Sequence, residues 1–83
     1  MTIGKIRYFE RLLVEEYSKK TSLLKELSSI KRQLREARKA GNLTNFLTKQ
    51  HQLFLLKEQI RLNKQNIKAK TKILNRLKRE LKK

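Results

Sequence analysis

Six apolar residues recur at seven-residue intervals through the second half of the chain: Phe46, Leu53, Ile60, Ile67, Leu74 and Leu81. Calling that position a, the companion position d holds Lys49, Leu56, Asn63, Lys70 and Leu77. A sustained heptad repeat predicts a helix packed along a coiled-coil-like seam. The mixed d row makes that seam imperfect. The first half carries a wider stripe. Ile6, Leu13, Leu27 and Leu34 share one seven-residue frame, broken by Lys20. Phe9, Leu23, Ile30 and Ala37 lie three residues on, broken by Glu16, and Tyr17 and Leu24 widen the face. Such width suits a helix facing more than one neighbour.

Between the two stripes lies Ala40-Gly41-Asn42-Leu43-Thr44-Asn45. Gly41 is placed to end helix one in the left-handed conformation, with Arg38 and Lys39 at the negative end of the helix dipole. Asn42, Thr44 and Asn45 are candidate N-caps for helix two. The expected fold is all-α: a single-domain antiparallel helical hairpin over residues 1–83, with helix one at about 3–40, a turn at 41–45 and helix two at about 46–82. One continuous helix is the competing arrangement, since a lone glycine costs only about 1 kcal/mol inside a helix. The cap residues directly after Gly41 favour the hairpin.

Glu16 and Lys70 interrupt the apolar stripes at about equal distances from the turn, so a hairpin can bring them together as a register-fixing pair. The alternative is that both reach solvent and the seam frays there. An 83-residue chain without cysteine has neither disulfides nor thiolate metal sites to support a small core. Self-association, most simply a dimer forming a four-helix bundle, is therefore expected. Leu12, Val14, Tyr17, Leu23 and Leu24 of helix one, and Phe54, Leu55 and Ile73 of helix two, are the apolar residues left for that contact.

Charge changes the picture most. There are 23 Lys and Arg against 7 Asp and Glu, a net +16. Solubility asks for a magnitude of only about 2–8 in a small domain, so a polyanionic partner is the natural reading. The plainer reading is a lysine-rich solvated surface. Over half the excess falls after residue 60. Arg61, Lys64, Lys68, Lys72, Arg79 and Lys83 form a stripe clear of a and d, flanked by Arg76, Lys78 and Lys82. A second block, Lys31, Arg32, Arg35, Arg38 and Lys39, sits at the turn end of helix one, so a hairpin places the two blocks at opposite ends of a rod. These are the expected phosphate-contacting residues, and such contacts position without reading sequence. Asn63, Gln65, Asn66 and Asn75 interleave with them as candidates for base or sugar contacts, although plain helix surface is their commoner use. No aromatic follows Phe54, which argues against a single-strand stacking platform.

No enzymatic chemistry is expected. His51 is the only histidine, Glu15 and Glu16 point to different parts of a helix surface, and there is no metal-ligand spacing or glycine-rich phosphate loop. No run approaches the about 20 apolar residues of a membrane span, and the N-terminus has no apolar leader, so a cytoplasmic protein is expected. The outline is similar to that of the ribosomal large-subunit family of basic helical hairpins. It is also similar to the Rop family of plasmid RNA-binding hairpins, which dimerise into four-helix bundles. Both likenesses are architectural and transfer no residue role. The expectation is thus a nucleic-acid-binding hairpin without a cofactor, with structured RNA slightly favoured over duplex DNA. A ribosome-associated protein and a phage or plasmid regulator are the two settings considered. The alternative is a module that docks on an acidic protein partner, and a helix pair lying on anionic membranes is a third.

Overall fold

The computed structural model describes residues 2–82. Lys83, one of the expected phosphate contacts, lies outside them. Two helices fill the described residues: α1 over Thr2–Ala40 and α2 over Leu43–Lys82. They pack against each other along their length as an antiparallel hairpin, a rod of 63 × 15 × 13 Å. The chain lacks proline, and among the described residues Gly41 is the one with a left-handed backbone, at φ 69°.

The turn is tighter than its sequence suggests. The Gly41 N–H donates to the Arg38 carbonyl (3.2 Å) and the Asn42 N–H to the Ala37 carbonyl (3.0 Å), the paired bonds of a Schellman C-cap. Asn42 then starts the next helix: its Oδ1 accepts from the Asn45 N–H (3.1 Å) and its carbonyl from the Phe46 N–H (2.9 Å). One asparagine therefore closes α1 and caps α2. Helix two consequently begins at Leu43, three residues before the expected start, and the connection is Gly41 and Asn42 alone. Thr44 and Asn45 lie inside the first turn of α2 rather than capping it.

The seam follows the heptads. Ile6, Leu13 and Leu74 form a buried cluster near the open end, with Phe9, Ile67 and Leu77 packed against it. Leu23 and Leu56 are buried further along, and Ala37 is buried beside the turn. Leu23 was counted among residues left for self-association. It is taken up inside the hairpin, because it occupies the heptad frame that faces α2.

The interruption at Glu16 is a built polar layer. Lys70 Nζ donates to Glu16 Oε1 at 2.8 Å, so the pairing of these two residues across the hairpin is realised. Asn63 completes the layer. Its Nδ2 donates to Glu16 Oε2 (2.8 Å) and to the Glu16 backbone carbonyl (3.0 Å). Asn63 is only 2 % exposed, which removes it from the candidates for base contact. Lys20, the other polar residue in the stripe, turns outward, with its ammonium 5.9 Å from the Tyr17 ring centroid.

Candidate nucleic-acid interface

The polar layer sets the register. Glu16 meets both Asn63 and Lys70, so a residue i of α1 stands beside residue about 83 − i of α2. The same packing fixes which flanks adjoin. Tyr17 and Leu24, at position e of α1, line one groove with Lys64, at position e of α2. Glu26 of α1 and Gln52 and Gln59 of α2, all at position g, line the groove on the reverse. The hairpin thus has two broad sides, one built from the e and b positions of both helices and one from the g and c positions.

Sorting the cations by side gives a sharp asymmetry. The e/b side carries Arg7, Lys31, Arg35, Arg38, Lys57, Arg61, Lys64, Lys68, Lys78 and Lys82 against a single carboxylate, Glu10. The g/c side carries Lys5, Lys19 and Arg76 against Glu15, Glu26, Glu36 and Glu80. Along the outer edges, at position f, lie Arg11, Lys25, Arg32, Lys39, Lys72 and Arg79, with Glu58. Every cation named on these surfaces is exposed. Among the described lysines and arginines only Arg61 and Lys70 reach a carboxylate, Arg61 on Glu58 at 3.0 Å and Lys70 on Glu16. The bond from Glu58 raises the Arg61 guanidinium above its already high range.

The fold sorts the expected site residues accordingly. Arg35, Arg38, Arg61, Lys64, Lys68, Lys78 and Lys82 share the e/b side. Arg32, Lys39, Lys72 and Arg79 lie on the outer edges, and Arg76 faces the g/c side. The two blocks do occupy opposite ends of the rod, but they are not separated. In order along the rod the e/b cations run Lys82, Lys78, Arg7, Lys68, Lys64, Arg61, Lys57, Lys31, Arg35, Arg38. At 1.5 Å per helical residue the mean step is roughly 6 Å, with one wider gap after Arg7. The cations between the two blocks join them into one continuous track along the e/b side. Lys57 and Arg7 belong to it and were missed, and Lys31 joins it from the block at the turn end. Their signal was heptad position, which block-by-block charge counting does not register.

The hairpin also brings an aromatic to the basic half of α2, which has none of its own. Tyr17 is 50 % exposed beside Lys20, Lys64 and Leu24, above Ile60 and Ile67 in a groove of about 270 Å³. The Glu16 carboxyl beneath this region is held below its ordinary value of 4.5. The Lys70 hydrogen bond is the largest cause, burial opposes it, and the Asn63 amide adds to the lowering. Among the described residues there is no group of acidic or histidine side chains able to hold a metal ion, and no helix is long and apolar enough to cross a membrane. The chain matches no protein-family model, no curated protein and no solved structure.

Proposed function

We propose that this protein binds nucleic acid lengthwise along its e/b side, through the phosphate backbone. The observation that carries the reading is the ten-to-one ratio of exposed cations to carboxylates on that side, set against three to four on the reverse. A lysine-rich coat serving only solubility has no reason to be one-sided. Phosphate binding does, because a polyanion meets one side at a time. Structured RNA is favoured over duplex DNA. Of the amides named as candidates for base contacts only Asn75 lies on the track, and RNA helices are recognised largely by shape and backbone. Tyr17, between Lys20 and Lys64, offers one stacking position for an unpaired base. The test is filter binding of structured RNA and duplex DNA across a salt series. Affinity falling linearly on a log–log plot supports the reading, and a flat profile overturns it.

The groove at Tyr17 and Leu24 also favours a second reading, in which an acidic protein docks its own apolar residues there. Purification with nuclease and high salt separates the two. Nucleic acid copurifying only in their absence supports the first, and a stoichiometric protein surviving both supports the second.

A further inference from the structure

The outer face of α2 next to the turn differs from the rest of the molecule. Leu47 and Phe54, at position b, and Leu55 and Leu62, at position c, stand there on either side of His51 and Glu58 at position f, each of the four apolar residues between 48 % and 63 % exposed. Exposed large apolar residues grouped in this way on a surface otherwise dense in lysine mark an interaction site. Leu55 borders the groove that α2 shares with Glu26 and Ile30 of α1, and the hairpin still leaves all four exposed.

We infer that this patch is the contact between two copies of the chain, paired antiparallel through α2. The charge pattern selects both the occupant and its direction. With Phe54 opposite Leu55 of the second copy, and Leu55 opposite its Phe54, each residue j faces residue 109 − j. Leu47 then meets Leu62. Lys57 faces Gln52, Arg61 faces Thr48 and Glu58 faces His51, which is neutral in the formal charge count. No like charges meet among these pairs. A parallel pairing would set Lys57 against Lys57 and Glu58 against Glu58, which is destabilising. The antiparallel arrangement also removes the main obstacle to bringing two +16 chains together. The basic run of α2 from Lys68 onward projects past the Gly41–Asn42 turn of the second copy. The two runs therefore leave at opposite ends of the dimer, separated by more than the screening length of about 8–10 Å.

Of the residues expected in that contact this pairing keeps Phe54 and Leu55 of α2 and leaves out those of α1. It does not depend on nucleic-acid binding, and the experiment uses nucleic-acid-free full-length chain. Sedimentation equilibrium at moderate salt should give a dimer. Phe54→Glu should raise the dimer dissociation constant by at least about thirtyfold, the scale for losing a central aromatic anchor, with helicity unchanged because Phe54 lies outside the hairpin core. Direction is read from disulfides, since the chain has no cysteine of its own. Leu47→Cys chains mixed with Leu62→Cys chains should give only the mixed disulfide. A wild-type monomer at high micromolar concentration overturns the proposal, as does self-cross-linking of Leu47→Cys alone.

Discussion

Asn63 and Glu16 are 47 residues apart in sequence, and one amide group joins them twice, to the Glu16 carboxylate at 2.8 Å and to its backbone carbonyl at 3.0 Å. With the Lys70 ammonium on the other carboxylate oxygen, the layer has no unpaired buried side-chain atom among the described residues. Removing Asn63 takes the donor from Glu16 Oε2 and from the Glu16 backbone carbonyl, while the Lys70 pair remains. Asn63→Ala should cost about 2 kcal/mol, read as the shift in urea midpoint.

Replacing the whole layer has a different expected outcome. Glu16→Leu, Asn63→Leu and Lys70→Leu together remove every polar group, and similar swaps are neutral or stabilising by roughly 1–4 kcal/mol. What the triple variant loses is the polar contact that distinguishes one heptad from the next across the seam, so its register should relax. The check is a paired cysteine probe across positions 9 and 74, which the native register brings together. A single cross-linked register in the triple variant would count against a register role for the layer.

The layer also gives the fold a defined acid response. Glu16 titrates below its ordinary 4.5 in the folded protein because Lys70 and Asn63 hold the carboxylate. A depressed folded value means the stabilisation is fully present above the unfolded value and is lost as pH falls through the folded one. Wild type and Glu16→Gln should therefore differ most near neutral pH, and the gap in urea midpoint should close as pH falls below about 4.5. A gap that stays constant to about pH 3 would contradict this assignment.

The turn allows little substitution. Gly41→Ala forces a side chain into the left-handed region at φ 69° and should cost about 1 kcal/mol. Nothing lies within 4 Å of the added Cβ, so the cost is conformational rather than steric crowding. Asn42→Ala should cost about as much, roughly 1 kcal/mol, by removing the cap on Asn45. Thermal unfolding of the two single variants measures both.

The proposed interface predicts that side matters more than number. Arg35, Lys57 and Lys64 changed together to Gln should lower the slope of log affinity against log salt by up to about 3. Lys5, Lys19 and Arg76 changed to Gln remove the same charge from the other side and should leave the slope nearly unchanged. Equal effects from the two triples would show that only net charge matters.

Much of the fold was legible in the heptads. They gave both helices and the seam, and Gly41 with the residues after it located the turn. Equal spacing to that turn left the Glu16–Lys70 pair as one of two readings, the other being that both reach solvent, and the 2.8 Å contact selects the pair. Asn63 was not legible, because an asparagine in a row of asparagines and lysines reads the same whether it faces water or a buried carboxylate. Only the partner across the seam distinguishes the two. The double use of Asn42 was hidden for a similar reason: three cap-type residues among four positions, Asn42, Thr44 and Asn45, leave the choice to backbone geometry. The one-sidedness of the charge was present in the sequence, but it emerges only when residues are sorted by which flanks of two helices adjoin. Counting charge along the chain mixes the sides together.

That one-sidedness has a dynamic consequence. The rod is 13–15 Å thick, more than the screening length of about 8–10 Å at physiological salt. A phosphate chain drawing near therefore feels the flank turned towards it and hardly senses the far one. An encounter on the reverse holds the rod weakly, whereas an encounter on the cationic flank exerts a torque that rolls it about its long axis into full contact. Because the cations are spread along the whole length, rolling is the only search required, and sliding lengthwise barely changes the attraction.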